Sequence, residues 1–316
     1  MFTWAILKPI YRTIFKEFIT TLLILFIISI AIFTLIYFSP NEDMLQEYMS
    51  MITEQLGMNT DWNINQVSFL STFYLWLTAV FSGHFGLSMS NGMPAFSQSL
   101  AFLSNSLSLI SLSFVFSLLI GLPYAYLILN KQENYLQKSS SFLMVASSFL
   151  PIFWTAYVVI YLSGAYLNYF PLSETEGSSS MVNTLLQVLL LSLGSGLIIE
   201  IAHHVSQEVK TVLQEDYILC ARAKGASIFK HVFKEGIAFP ILNLLSNKIA
   251  YLFGATIIIE QIFNWPGIGR LLWQATQDRD IPLLLSAVLL TVIVIRFAQF
   301  LSRVIYIIIN PRASHE

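Results

Sequence analysis

The stretch Glu208–Pro240, EVKTVLQEDYILCARAKGASIFKHVFKEGIAFP, decides how the rest of the chain is read. It carries five basic residues (Lys210, Arg222, Lys224, Lys230, Lys234) and four acidic ones (Glu208, Glu215, Asp216, Glu235). Apolar runs flank it on both sides, so it belongs in water at a membrane surface. Val205, Val209, Val212 and Leu213 recur at helical spacing, as do Phe229, Val232, Phe233 and Ile237. Gly225 falls between the two sets, where a helix end prefers a residue free to adopt positive φ. Ser227 is placed to cap the second piece. The pattern predicts a helix, a tight turn and another helix, all on one side of a bilayer.

Outward from this stretch the composition changes. Of 316 residues, 56% are apolar and 11% charged, against roughly 25% charged in ordinary soluble domains. That excludes a large soluble helical domain. The net charge of −2 indicates no nucleic-acid partner by itself; the placement of the charges is the informative part. The single cysteine, Cys220, excludes an internal disulfide and lies in the polar stretch. The first apolar run is too long for a cleavable signal, and no small-residue cleavage site follows it.

Six runs are long enough to span, since about 20 residues cross the hydrocarbon core. They are Phe18–Phe38, Leu107–Leu129, Phe142–Leu167, Met181–Ala202, Ile237–Phe263 and Leu283–Ile309. Pro123, after Gly121, is expected to bend the second. Gly194 and Gly196 offer close helix approach in the fourth. Residues 39–98 hold Glu42, Asp43, Glu47, Glu54 and Asp61 and no Lys or Arg. Within them Val67–Ser82 is too short to cross and reads as an interfacial or buried helix, with Tyr74 and Trp76 near the headgroups.

Six spans place both termini on one side. The N-terminal lead, the 130–141 loop, the 208–240 stretch and the tail carry 3, 2, 5 and 1 basic residues; the opposite loops carry 0, 0 and 2. By the positive-inside tendency the termini and the 208–240 stretch are cytosolic.

Four blocks, in order, resemble one family. DYILCARAKGAS (216–227) resembles the cytoplasmic signature of ABC-importer permeases, in the dipeptide/oligopeptide/nickel group. EQIFNWPGIGRLLWQATQDRDIPLL (260–284) and NPRAS (310–314) resemble two further blocks of that group, and SSFLPIFW (147–154) with GHFGLS (83–88) extends the match. The resemblance covers most of the chain from about residue 80. It implies an all-α membrane protein with six transmembrane helices and the type I ABC importer permease fold, with a cytosolic coupling helix and an external helical loop after the first span. The expected layout is a cytosolic N-terminus (1–17), a first span (18–38), an external loop (39–98), a transmembrane core (99–309) that includes the coupling segment 208–240, and a cytosolic tail (310–316). The setting implied is a bacterial inner membrane.

The resemblance also implies partners: a second homologous permease, two ABC ATPase subunits, an external solute-binding protein, and membrane lipid. ATP and Mg would sit on the partner subunits and no cofactor on this chain. It assigns ATPase contact to Ala221, Arg222, Ala223, Lys224, Gly225, Ala226 and Ser227. The turn with Trp265, Pro266, Gly267 and Gly269 is expected on the outer side, as a tight connection or a contact for delivered substrate. The chain departs from the pattern at His203 and His204, where the group commonly shows Arg, and at Leu242–Asn243, where it commonly shows Leu-Pro.

No GxxxxGK[ST], HExxH or CxxC occurs, and no GxSxG elbow accompanies the serines. Neither a catalytic residue nor a metal site is expected; His203 and His204 are adjacent and make a poor ligand pair. Four charges lie in or near spans: Glu200, Lys248, Glu260 and Arg296. Intramembrane ions face a cavity or one another. Glu200, Lys248 and Arg296 are therefore candidates for the translocation pathway; the alternative is a structural Glu200–Lys248 bridge. Glu260, near the outer end of its span, suits a role in holding the following turn. The leading reading is a peptide permease subunit, with nickel or metal-chelate import as the alternative. A secondary transporter needs inverted repeats and coupling-ion ligands, and neither is visible.

Overall fold

The computed structural model describes residues 2–38, 42–57, 68–130, 138, 141, 142, 145, 146, 149–169, 171 and 180–309. Among these, regular structure is helical, apart from one isolated antiparallel bridge between Leu87 and Pro94. Among the described residues, four helices are long and apolar enough to cross a membrane: Tyr11–Tyr37, Ala95–Leu129, Phe229–Ile262 and Ile281–Ile308. A bent pair, Met181–Gly194 with Leu197–Gln214, makes a fifth if it counts as one span. The expected third span is described without interruption only from Phe149, and its helix, Ile152–Leu167, has 16 residues.

Two compact units divide the chain. The first comprises Met1–Ile14, Leu107–Trp265 and Ala298–Glu316; the second comprises Phe15–Ser106 and Pro266–Phe297. Helices α1 (Phe2–Tyr37), α4 (Ala95–Leu129) and α12 (Ile281–Ile309) contribute to both.

The first unit is built on α5 (Ile152–Leu167), α6 (Ser180–Gly194), α7 (Leu197–Gln214), α8 (Asp216–Ala223), α9 (Phe229–His231), a π-helical segment (Val232–Ala238) and α10 (Phe239–Ile262). Helix α10 packs against α5, α6, α7 and the π segment. The expected continuous span Met181–Ala202 is broken: Ser195 and Gly196 separate α6 from α7, which are bent by 51°. Gly196 sits at φ 73, which glycine adopts without the steric penalty of a Cβ. It therefore serves the bend. Gly194 does provide close approach, since a Cβ there would meet Ile152 Cγ1 at 2.9 Å. Gly121 does the same against Ile201 Cγ2 at 2.9 Å. Two residues later, Pro123 is carried inside α4 without ending it.

In the second unit, α2 (Glu42–Gln55), α3 (Phe69–Phe81) and α11 (Ile268–Gln277) join parts of α1, α4 and α12. Phe33, Phe73 and Trp76 form an aromatic core, with ring centroids 5.2–5.8 Å apart. Each such pair adds about 0.5–1.5 kcal/mol beyond its buried area. Trp76 is therefore not at the headgroups: it is fully buried and its indole N–H donates to Tyr48 Oη at 3.3 Å. Burial raises the Tyr48 phenol above its ordinary pKa, and the bond from Trp76 partly opposes this. Tyr74, on the other face of α3, is exposed. The first span is part of a longer helix, α1, that begins at Phe2, and α4 starts at Ala95, well before Leu107.

Candidate functional site

The polar stretch resolves into more pieces than its periodicity suggests. Helix α7 buries Leu197, Ile201, Val205, Val209 and Val212 along one face and runs on to Gln214. Helix α8 then starts at Asp216 and ends at Ala223, with Asp216 in its first turn and Arg222 in its last, both favourable to the helix dipole. Gly225, at φ 70, closes it: Gly225 N–H donates to Arg222 O at 3.0 Å and Ala226 N–H to Ala221 O at 2.9 Å. These two bonds are a Schellman stop. Arg222, Ala223, Lys224, Gly225, Ala226 and Ser227 are exposed and Ala221 is half-buried, so the turn presents itself to solvent. A Cβ at Gly225 would meet nothing within 4 Å.

Ser227 does not cap the second piece. The residue before α9 is Ile228, and no side chain caps that end. The chain enters instead through α9 and the π segment, where one extra residue per turn shifts the register ahead of α10. The π segment packs closely on α7: a Cβ on Gly236 would lie 2.7 Å from Val209 Cγ2. Nearby, the Tyr217 hydroxyl donates to Glu235 Oε2, which ties α8 to the π segment.

Within the first unit the structure brings Glu200 and Lys248 together. Lys248 Nζ lies 2.6 Å from Glu200 Oε1 and 4.7 Å from the Tyr251 ring centroid. Glu200 Oε2 is buried and has no hydrogen-bond partner among the described residues. The same holds for both amide atoms of Gln187, a fully buried residue of α6 that the search for charges passed over. An uncharged amide within an apolar run was the available signal. Arg296 is half-buried on α12, in the second unit.

The 264–269 turn is assembled differently from its Pro-Gly pattern. The positive-φ residue is Asn264, at φ 59, and Trp265 N–H donates to Glu260 O at 2.9 Å. Glu260 itself is fully buried. In the second unit, Gly267 precedes α11 and Gly269 is buried inside it. Asn105 Nδ2 donates to Pro266 O at 2.8 Å and Ile268 N–H donates to Ser106 Oγ at 2.7 Å, fixing the start of α11 against α4.

A further polar centre of the second unit escaped the sequence reading. Asp280 is fully buried. Its Oδ2 accepts from Ser88 Oγ at 2.5 Å, Ser90 N–H at 3.1 Å and Ser90 Oγ at 3.0 Å, while Oδ1 accepts from Leu283 N–H at 3.1 Å. Asp280 is thus the N-cap of α12 and a clasp on the 83–94 loop. An Asp one residue before Ile-Pro at a helix start was the available signal.

Apolar helices of spanning length, interrupted by one polar helical turn, place the chain among helical membrane proteins. Residues 117–315 match the family of binding-protein-dependent transport system inner membrane components, and the chain belongs to that family. A probable peptide ABC transporter permease of Sinorhizobium fredii (strain NBRC 101917 / NGR234) is 25% identical over 313 residues, covering 95% of this chain and 98% of the relative. The oligopeptide transport system permease AppB of Bacillus subtilis (strain 168) is 25% identical over 249 residues, covering 76% and 79%. The glutathione transport system permease GsiC of Escherichia coli (strain K12) is 25% identical over 298 residues, covering 91% and 94%. The chain is an ABC importer permease subunit of the inner membrane.

Proposed function

We propose that this subunit carries peptides across the cytoplasmic membrane by alternating access, driven by ATP hydrolysis in separate partner chains. Its relatives' names, peptide, oligopeptide and glutathione permeases, support peptides over nickel or metal chelates. In this reading the chain makes six spans with both termini and the coupling segment in the cytosol. It works beside a second permease, two ATPase subunits that bind ATP and Mg, and an external solute-binding protein. The single observation that carries the coupling role is the Schellman-closed turn at Gly225, exposed and hydrogen-bonded between helices. A rigid turn fits a partner's groove and passes rigid-body motion into the spans. Glu200, Lys248 and Arg296 are assigned to the translocation pathway.

The test is reconstitution with the ATPase subunits, reading peptide uptake and ATPase co-purification. Ala223→Trp adds bulk on the exposed helix end without backbone strain. It should cut uptake at least tenfold and release the ATPases while membrane abundance stays normal. Gly225→Asn, which tolerates positive φ, should keep most activity. Normal uptake in Ala223→Trp would remove the coupling assignment.

A further inference from the structure

The polar stretch encloses a groove of about 650 Å³ in the first unit, within the range of small-molecule sites. One wall is the face of α7 that carries Glu208 and Thr211, continued by Glu215; the other, from α9 and the π segment, carries Lys230 and Lys234. Val212, Tyr217 and Phe239 complete the lining. Glu235 already accepts from Tyr217 and lies 3.9 Å from His231 Nδ1. Among the described residues, Glu208, Glu215, Lys230 and Lys234 enter no ion pair, with each other or with any other side chain. Lys234 instead lies 5.8 Å from the Phe239 ring centroid. Two carboxylates on one wall and two ammonium groups on the other thus line the groove without forming an ion pair among the described residues.

None of the residues assigned to ATPase docking, 221–227, lines this groove, yet α7, which forms one wall, leads through α8 into that turn, and α9 with the π segment, which form the other, leave it. We propose that the groove is a second binding site, for a short zwitterionic peptide on the ATPase side of the membrane. The peptide's ammonium group meets Glu208 and Glu215, its carboxylate meets Lys230 and Lys234, and Thr211 meets its backbone. A ligand that bridges the walls fixes the angle between α7 and the π segment, so imported peptide slows its own uptake. This rests on the peptide-permease reading and its orientation.

The experiment uses the assembled transporter in proteoliposomes with the ATPase side outward. Tri-alanine added to that side should lower ATP hydrolysis at least threefold, whereas N-acetyl-tri-alanine amide, which lacks both charges, should not. Glu208→Gln and Lys230→Gln alter exposed side chains without hydrogen-bond partners and should leave uptake unchanged when no tri-alanine is present on the ATPase side. Each should raise the half-inhibitory concentration at least tenfold. No inhibition, or equal inhibition of wild type and both variants, overturns the proposal. So does disulfide trapping of Lys230→Cys to an ATPase subunit throughout the cycle, because the groove is then filled by protein. Absence of tri-alanine uptake from the opposite face removes the peptide reading instead. Labelled tri-alanine binding to wild type against Lys230→Gln then decides the groove alone: a tenfold loss supports it, and equal binding overturns it.

Discussion

Asp280 and Ser88 are joined by a 2.5 Å hydrogen bond across 192 residues of chain. The bond holds the 83–94 loop to the start of α12, and Ser90 adds two more donors to the same carboxylate oxygen. The loop is also packed at Gly86, φ 87, where a Cβ would lie 3.2 Å from Tyr48 Cε2 and 3.4 Å from Pro282 Cβ.

Asp280→Asn leaves one acceptor oxygen where two are used, and sets an amide N–H₂ against the remaining donors. A hydrogen bond to a charged group contributes about 1.5–3 kcal/mol. Asp280→Asn should therefore destabilise the clasp by ~2 kcal/mol, and Ser90→Ala by ~1 kcal/mol. Hydrogen exchange in residues 83–94 measures this, with faster exchange in the order Asp280→Asn, Ser90→Ala, wild type. Unchanged exchange in Asp280→Asn would show that the clasp does not hold the loop.

The Lys248–Glu200 pair separates two roles. If it is only a bridge, Lys248→Met and Glu200→Gln should each cost ~2 kcal/mol, and the double variant should recover most of that loss, because no charge is left unpaired. If Lys248 lines the pathway and meets substrate carboxylates there, Lys248→Met should reduce uptake of zwitterionic peptides at least tenfold. Peptides with amidated C-termini should suffer less. Thermal unfolding and uptake, measured on all three variants, distinguish the cases; equal uptake of both peptide classes in Lys248→Met would end its assignment to the pathway.

Gly236 is where the π segment meets α7. Gly236→Ala places a methyl 2.7 Å from Val209 Cγ2 and 3.1 Å from Val209 Cα. Overpacking of this kind costs about 1–3 kcal/mol. Pairing it with Val209→Ala relieves the side-chain clash but not the backbone one, so the double variant should regain part of the loss. Full stability in Gly236→Ala would contradict the close packing.

Sidedness is checked with an impermeant thiol reagent on intact cells. In a background lacking native Cys220, Gln277→Cys, exposed near the end of α11, should be labelled. Native Cys220, exposed on α8, should not be labelled until the membrane is broken. Labelling of Cys220 in intact cells would reverse the proposed orientation.

The membrane class, the polar helical turn and the family were legible in the linear chain. Runs of apolar residues have no stable place in water, and a charged stretch between two of them must return to it, whatever the tertiary structure. Gly225 as a helix stop was likewise local, because a Schellman end needs only neighbouring residues. The break at Gly196 was not legible: glycine permits both close helix approach and positive φ, and the residue type alone does not say which of them a position uses. Ser227 and Trp76 were misread for a similar reason. Capping depends on where the helix begins, and a tryptophan suits a headgroup or a core equally well until its neighbours are known. Glu200 as partner of Lys248 was one of two readings the chain offered, and the fold joins the two; the partners of Asp280 were decided by tertiary structure alone. A charge in an apolar setting announces that it needs an opposite group, but periodicity carries no information on which distant residue the fold will deliver to it.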